Sequence, residues 1–440
     1  MLNKLKSLQN HQGFMKYFSN SVWLLLEKIL RIVVGLFIGV WIIRYLGPDQ
    51  FGTLSYIGSF VGIFGSIASL GVDVILVREL VKTHDRRDEL LGTAFGIKLL
   101  GATISIILLV IGTTFTSNDQ YTNFLILIIS PLIIFNSFNV VDLYFQSIVK
   151  NKYIVYVNVV SLFISSIIKI LLLLNEAPLE FFVYMVLFDS IVVAIGYLIL
   201  YKKLNFSVLL WRFRLNTFKI LLKDSWPLIF SGVVISLYMR IDQIMIKEML
   251  DFHAVGQYAA AVRLSEAWYF IPVILGNTLV PAIIKAKSTS ESLYYKRLQN
   301  FYTFMVWIAI FAAVSITFLS EFIINILYGS SYNEAIAVLV IHVWAGVFLS
   351  LGIACGKWYL AENYTIGALK KAILGLSFNL LGNYILIPMY GIQGAAISTL
   401  FGHLAANLIY DIFDNRVRGQ LKYKIRAFFP VYLLRSYYAK

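Results

Sequence analysis

Long apolar runs recur along the whole 440-residue chain. A helix that crosses the roughly 30 Å hydrocarbon layer of a bilayer needs about 20 such residues. Twelve runs reach that length, at residues 17–45, 54–77, 90–115, 121–148, 153–174, 179–201, 226–249, 254–284, 299–327, 334–360, 365–388 and 391–412. Because unpaired backbone groups are costly in hydrocarbon, lipid-spanning runs of this kind fold as helices. The sequence therefore predicts an all-α polytopic membrane protein with twelve transmembrane helices.

Composition and motifs argue against an enzyme. Only 14% of the residues are charged, whereas a soluble domain carries about a quarter. Cys355 is the single cysteine, and the five histidines form no HxH or HxxxH pair, so we expect no disulfide and no metal site. The chain also lacks a phosphate-binding P-loop and the HExxH and GxSxG motifs. We therefore expect no cofactor and no enzymatic activity.

Basic residues are concentrated in alternate connecting segments. If the N-terminus is inside, the cytoplasmic segments hold 28 of the 37 Lys and Arg residues, and the external loops hold Arg44 and Lys247. Loops rich in Lys and Arg stay in the cytoplasm. The net charge of +14 therefore indicates topology and not nucleic-acid binding. Both termini are predicted to be cytoplasmic, with part of the charge, especially in residues 416–440, attracting anionic membrane lipids.

A basic stretch divides the chain into two halves of six spans. Residues 202–225 hold six Lys and Arg and are predicted to form a cytoplasmic linker with a short amphipathic helix. The remaining parts are an N-terminal six-helix bundle (1–201), a C-terminal six-helix bundle (226–412) and a basic cytoplasmic tail (413–440). The segments after spans one and seven each contain an acidic residue and end in glycine, at Gly52 and Gly256. This weak repeat favours a duplicated bundle with parallel halves.

Ionisable residues lie inside several predicted spans, where each costs at least about 2–3 kcal/mol on insertion scales. They include Glu27, Lys28 and Arg31 in span one, Lys169 in span five, Asp189 in span six, Arg240 and Asp242 in span seven, and Arg263 and Glu266 in span eight. Such residues usually face a cavity or one another. Two interpretations follow, namely structural ion pairs and a binding cavity.

Helical spacing supports ion pairs at two places. Glu27 and Arg31 are four residues apart, and Arg263 and Glu266 are three apart, so each pair shares a helix face. Asp189 has no opposite charge nearby in sequence and needs a partner from another helix.

The excess of cations supports a binding cavity instead. An anionic ligand such as a phosphate or pyrophosphate would offset these charges, because the arginine fork matches phosphate oxygens. Arg31, Arg240 and Arg263 are therefore the main candidate ligand-binding residues, together with Lys28 and Lys169.

Four short motifs occur at the ends of the spans. They are Arg44-Tyr45-Leu46-Gly47-Pro48-x-x-Phe51-Gly52, Leu70-Gly71-Val72-Asp73 with Arg78-Glu79-Leu80, Val255-Gly256-x-Tyr258-x-x-Ala261-x-Arg263-Leu264, and Tyr390-Gly391-Ile392-x-Gly394-Ala395-Ala396-Ile397. In this order they resemble the bacterial polysaccharide-biosynthesis flippases, which are O-antigen-type exporters of lipid-linked oligosaccharides. The resemblance covers nearly the whole chain.

The resemblance implies a fold similar to the multidrug-and-toxin-extrusion transporters, with two six-helix bundles around a cationic cavity. It implies a substrate of undecaprenyl-pyrophosphate carrying an oligosaccharide, such as an O-antigen repeat unit. Alternating access would move this lipid from the inner to the outer leaflet of the bacterial cytoplasmic membrane, where association with polysaccharide polymerase machinery is expected. Related lipid II flippases usually carry fourteen spans, against the twelve counted here.

Two other functions remain open. An ion-coupled multidrug antiporter of the same fold would need an acid-dominated cavity, whereas the spans of this chain are rich in cations. A membrane glycosyltransferase or polymerase would need a large aqueous loop with catalytic acids, and the predicted external loops are short. Without a P-loop, an ion gradient or the membrane potential is the expected driving force. The candidate ion-coupling or charge-partner residues are Glu27, Asp189, Asp242 and Glu266, with H⁺ and Na⁺ both open.

The charge asymmetry makes the orientation testable. A reporter that is active only in the cytoplasm should be active when fused after residue 215 or 430, because both positions lie in basic segments. The matched control is a fusion after residue 118, in a loop without Lys or Arg, which should be inactive. An inactive reporter at 215 or 430 would show that the orientation is wrong.

Overall fold

The computed structural model describes residues 12–287, 289–361 and 364–429, and these residues form helices without any strand. The helices of the first part of the chain are α1 (Gln12–Ala68), α2 (Val72–Lys82), α3 (Arg87–Thr113), α4 (Gln120–Ile129), α5 (Leu132–Phe135), α6 (Val140–Ser147), α7 (Lys152–Leu174), α8 (Leu179–Lys203) and α9 (Leu215–Met249). The second part contains α10 (Phe252–Glu266), α11 (Phe270–Lys287), α12 (Glu291–Leu327), α13 (Glu334–His342), α14 (Ala345–Ala361), α15 (Thr365–Leu404), α16 (Tyr410–Phe413) and α17 (Arg418–Ala427).

Ten helical stretches of the described chain are long and apolar enough to cross a membrane. Two of them, Val22–Ala68 and Ile366–Phe413, have 47 and 48 residues, which is about twice the length that one crossing needs. Each is kinked at a glycine with positive φ, Gly47 or Gly391, where the sequence predicts one span to end and the next to begin. The all-α polytopic fold is confirmed. The number twelve stays a prediction, because length and apolarity alone define ten spans.

The chain separates into two compact units. Unit 1 comprises Met1–Tyr45 and Ile57–Ser236, and unit 2 comprises Leu46–Tyr56 and Leu237–Lys440. The boundaries fall inside α1 and α9, so the predicted linker at residues 202–225 lies within unit 1. The predicted division into two bundles, a linker and a tail stays a prediction.

The linker forms no separate helix, although its residues 215–225 are helical as the first part of α9. Helix α8 ends at Lys203 and α9 begins at Leu215, and the residues between them contain one 3₁₀ turn, Val208–Leu210. The backbone gives the reason. The N–H of Arg212 donates to the carbonyl oxygen of Asp88 at 3.1 Å, so it is not available for a hydrogen bond within a local helix. The residues between α8 and α9 therefore form an irregular segment that is hydrogen-bonded to the start of α3.

The described C-terminal residues form a docked helix. Lys424 of α17 and Asp411 of α16 are both fully buried, with Nζ and Oδ2 2.7 Å apart. The same ammonium donates to the carbonyl oxygen of Asn407 at 2.9 Å, in a π-helical turn over residues 405–409. Part of the predicted tail (413–440) is thus packed into unit 2, and residues 430–440 lie outside the described chain.

Asp414 is an acidic group at the end of the last span. Burial acts to raise the pKa of Asp414, but hydrogen bonds from the hydroxyls of Tyr364 and Tyr410 outweigh it and hold the pKa below its ordinary value. The carboxylate therefore stays charged and fixes the start of the C-terminal segment.

The two repeated segments found in the sequence pack against each other within unit 2. A Cβ at Gly52 would collide with the carbonyl oxygen of Phe252, and a Cβ at Gly256 would collide with that of Pro48. Beside this contact, His253 Nδ1 lies 3.3 Å from Asp49 Oδ2. Small residues permit such close approach of helices in membranes. The matching glycines are therefore required by backbone contact.

This contact gives a stability prediction. Gly256→Ala should destabilise the protein by about 1–3 kcal/mol, because the added methyl group overpacks a site bounded by backbone. Gly232→Ala is the matched control, since its Cβ would meet nothing within 4 Å and alanine is the better helix former. The thermal midpoint of the detergent-solubilised protein should fall for the first variant and stay equal or rise for the second. Equal midpoints would contradict the packing argument.

Candidate functional site

Arg31 forms an ion pair with Glu27 in unit 1. The Arg31 Nη2 lies 2.6 Å from Glu27 Oε1, and its Nε donates to the same oxygen at 3.1 Å. The Arg31 side chain is 55% exposed and that of Glu27 13%, so the carboxylate sits inside and the guanidinium faces outward. Asn158 of α7 donates to Glu27 at 3.5 Å and accepts from the Tyr197 hydroxyl at 3.2 Å. The predicted pairing is present, and polar groups of α7 and α8 support it.

A second ion pair joins α7 and α8. Lys169 Nζ lies 2.7 Å from Asp189 Oδ2, with side chains that are 23% and 36% exposed. Asp189 thereby has the partner from another helix that the sequence required. Lys28, one residue after Glu27, is exposed on α1. Unit 1 thus contains two separate cation–carboxylate pairs and a further exposed cation.

Sequence reasoning missed a third ion pair in unit 1. Lys98 of α3 is 5% exposed, and its Nζ lies 2.6 Å from Asp73 Oδ1 and also donates to Asn139 Oδ1. A cavity of about 210 Å³ adjoins the pair and is lined by Ser69, Ser137 and other residues of two broken helices. The breaks in the helices beside this pair were the available signal for a cavity, because irregular backbone at membrane depth is tolerated where it lines a cavity.

Asp242 is the centre of a hydrogen-bond network in unit 2. Its Oδ1 accepts from Asn379 at 2.9 Å and from Asn383 at 2.7 Å. Its Oδ2 accepts from the Tyr258 hydroxyl at 2.6 Å and from the Thr399 hydroxyl at 2.5 Å. Asp242 is 5% exposed, and both asparagines are fully buried. A carboxylate with four neutral donors is thereby held in a fixed position.

The four donors come from helices that are distant in sequence. Tyr258 lies on α10, and Asn379, Asn383 and Thr399 lie on α15 on both sides of the kink at Gly391. Tyr258 belongs to one of the four motifs, and no motif marked the three residues of α15. The available signal was a set of polar residues with helical spacing in apolar spans, since Asn379 and Asn383 are four apart and share a face with each other.

The remaining predicted residues of unit 2 lie near this network in sequence. Arg240 precedes Asp242 by two residues on α9, which places it about 200° around the helix, and it is exposed where Asp242 is buried. Arg263 is exposed on α10. Glu266 is half-buried at the last residue of α10, where the helix breaks before α11 begins at Phe270.

The arrangement suits ligand and ion binding better than bond chemistry. Exposed guanidiniums at spanning depth can bind an anion through paired N–H groups. Buried carboxylates can hold a proton or a hard cation, which prefers oxygen ligands. Within the described residues, no group of three or more His, Cys, Asp and Glu side chains is placed to hold a metal ion.

Comparison with known sequences identifies the family. Residues 17–287, more than half of the chain, match the family described as polysaccharide biosynthesis protein. A protein of Shigella dysenteriae named as an O-antigen transporter is 20% identical over 361 residues, covering 81% of this chain and 90% of the relative. A capsular polysaccharide biosynthesis protein of Staphylococcus aureus is 22% identical over 192 residues, covering 43% of this chain and 48% of the relative. The chain thus spans about half the length of the capsular relative.

Two solved structures have a similar fold. The lipid II flippase MurJ in an inward closed conformation has a TM-score of 0.67 at 16% identity and covers 93% of this chain and 91% of the flippase. An inward-facing multidrug resistance MATE family transporter of the MOP superfamily has a TM-score of 0.68 at 13% identity and covers 92% of this chain and 99% of the transporter. At such identities these likenesses show the fold alone. The family match makes this chain a member of the polysaccharide biosynthesis protein family, and its candidate spans and fold are those of a multi-pass membrane protein.

Proposed function

We propose that the chain translocates undecaprenyl-pyrophosphate carrying an oligosaccharide, such as an O-antigen or similar surface polysaccharide repeat unit. Transport runs from the inner to the outer leaflet of the bacterial cytoplasmic membrane by alternating access, with both termini in the cytoplasm. Family membership and the named O-antigen relative support this substrate class. The product outside is then available to polysaccharide polymerase machinery.

The exposure of three arginines carries the proposal. Arg31, Arg240 and Arg263 lie within apolar helices, yet their residues are exposed, the Arg31 side chain to 55%. A charge at such depth is costly against lipid, so it faces water or a polar ligand. A pyrophosphate offers oxygens that several arginine forks can bind in parallel. Each of these arginines is a proposed headgroup ligand, and Lys28 is a further candidate on α1.

The ion pairs of unit 1 make binding reversible. Glu27 occupies the fork of Arg31. A bound pyrophosphate competes for that fork, and Glu27 then loses its cation and gains affinity for another. Lys169 contributes to reversible binding in the same way, because it is paired with Asp189. Substrate binding and ion uptake are thereby coupled through shared cations.

Removing the forks should reduce translocation. Arg31→Ala, Arg240→Ala and Arg263→Ala should each slow transport roughly ten- to a hundredfold, since a hydrogen bond to a charged group contributes about 1.5–3 kcal/mol. The corresponding Arg→Lys variants should retain intermediate rates, because lysine keeps the charge and loses the fork. The readout is the fraction of a labelled polyprenyl-pyrophosphate saccharide that becomes accessible to an external pyrophosphatase in reconstituted vesicles.

Lys422→Ala is the control for lost positive charge. This lysine is exposed on α17, outside the spans, and its variant should transport at the parent rate. Normal transport by all three arginine variants would contradict the binding assignment. A loss that is equal in Lys422→Ala would show that net charge alone matters.

We further propose that Asp242 is a coupling site for H⁺ or Na⁺. The carboxylate is buried and its four hydrogen-bond donors are neutral, so it carries a negative charge that a bound cation would offset. Glu266 is a second candidate at the break between α10 and α11. Asp189 and Glu27 are the corresponding carboxylates of unit 1.

Neutralising the coupling site should uncouple transport from its driving gradient. Asp242→Asn keeps the shape of the side chain and removes the charge, so translocation should no longer respond to an imposed pH, Na⁺ or potential gradient. Glu266→Gln and Asp189→Asn test the two other candidates. The readout is the translocation rate in vesicles with each gradient applied singly, which also distinguishes H⁺ from Na⁺.

Asp251→Asn provides the matched control. Asp251 caps α10 by accepting from the N–H of Ala254 at 2.8 Å, and asparagine is an equally good cap. This variant should keep the gradient response of the parent. If the parent itself transports equally well with all gradients collapsed, facilitated diffusion replaces ion coupling, and the substrate assignment is unaffected.

A further inference from the structure

The linker between α8 and α9 presents an apolar edge that protein does not cover. The side chains of Leu209, Leu210, Phe213 and Leu215 are 95%, 50%, 52% and 58% exposed. We call these four residues the linker wedge. Four large apolar side chains within seven residues form an exposed patch of the kind that marks an interaction surface.

The backbone of the wedge is fixed to α3. The N–H of Arg212 donates to Asp88 O at 3.1 Å, and the N–H of Arg214 donates to Thr93 Oγ1 at 3.1 Å. Gly92 admits the linker backbone, because a Cβ there would lie 2.5 Å from the Arg212 nitrogen. The wedge is therefore held by a rigid helix and does not depend on a partner for its conformation.

Its position along α3 places the wedge at the edge of the hydrocarbon layer. The ring of Phe213 lies over Gly96, where an added Cβ would come within 2.8 Å of the ring. Gly96 is nine residues from Arg87, the first residue of α3, which is about 14 Å along the helix. Helix α3 is a candidate span by its length and composition, and the wedge runs beside its first turns, where exposed apolar side chains can meet lipid.

Basic side chains surround the wedge. Lys203, Arg212 and Lys219 are exposed, and the side chains of these three residues form no hydrogen bond or ion pair within the described chain. Trp211, next to them, donates from Nε1 to the Tyr201 hydroxyl at 3.2 Å, as an aromatic residue at a membrane interface does. Apolar side chains in the acyl region and basic side chains at headgroup level match an anionic lipid surface.

We propose that the linker is a binding site for anionic phospholipid. The linker wedge inserts between acyl chains of the leaflet, and Lys203, Arg212 and Lys219 bind the phosphodiester groups of phospholipids that carry a net negative charge. The binding concerns bulk membrane lipid and is independent of the transported substrate. It also differs from the expectation that the C-terminal tail is the main lipid contact.

Fluorescence quenching tests both parts of the proposal in the full chain. Leu209→Cys is labelled with an environment-sensitive fluorophore in a Cys355→Ser background and reconstituted in phosphatidylcholine with a minor fraction of phosphatidylglycerol. Only one of the two lipids is brominated at a time, at equal mole fraction. Brominated phosphatidylglycerol should quench at least fivefold more per molecule, since one basic residue near the surface enriches an anionic lipid about fivefold. Should Cys355→Ser fold poorly, native Cys355 is retained, because it is fully buried.

Two sets of charge variants show whether the site is local. The triple variant Lys203→Gln, Arg212→Gln and Lys219→Gln should bring the two quenching values to equality. The control triple variant Lys296→Gln, Lys370→Gln and Lys422→Gln removes three exposed lysines from unit 2 and should keep the parent ratio. A label at Phe115→Cys, which is 85% exposed in a loop without basic residues, should show no preference between the lipids.

Three results would overturn the proposal. Absence of quenching by either lipid at position 209 would place the wedge in water. Equal quenching by both lipids in the parent would exclude headgroup selection. An equal loss of preference in the control triple variant would show a general effect of net charge. None of these results bears on the transported lipid, because translocation is not measured.

Discussion

The hydrocarbon layer gives backbone N–H and C=O groups no partner, and this constraint explains where the polar chemistry of the chain is found. Helices satisfy the backbone internally, so each break requires polar compensation. The break between α1 and α2 and the 3₁₀ turn Asn136–Asn139 both adjoin the pair of buried Lys98 and half-buried Asp73. The π-helical turn after α15 leaves the Asn407 carbonyl to accept from Lys424. Irregular backbone and buried charge thus occur together.

Ionisable groups at depth follow a second regularity, because most of them neutralise one another. The pairs are Glu27–Arg31, Asp73–Lys98, Asp189–Lys169 and Asp411–Lys424. An uncompensated buried charge would cost several kcal/mol, so pairing permits the chain to carry so many cations. Asp242 departs from this pattern, since the groups that donate to it are two amides and two hydroxyls. The proposed ion site at Asp242 therefore has neutral donors, whereas the proposed anion site is built from cations.

The sequence predicted the features that depend on residues close together in the chain, namely the helices and one ion pair. Apolar runs gave the helices, because a span must exceed a length that the bilayer sets. The spacing of four residues gave the Glu27–Arg31 pair. The Asp242 network was beyond such reasoning, because its donors lie 16, 137, 141 and 157 residues away. The path of residues 204–214 was beyond it for a related reason, since the backbone of Arg212 and Arg214 is hydrogen-bonded to α3.

In the proposed function, the pairing of Arg31 would ease the return of the carrier without its substrate. An alternating-access transporter must change conformation both with and without its substrate, and a lone arginine within a span would be costly in either step. Arg31 lies 2.6 Å from Glu27, whose negative charge compensates it. A bound pyrophosphate would compete with Glu27 for the guanidinium, so Arg31 would face an anion in both steps. The proposed cycle would therefore avoid an uncompensated cation at Arg31.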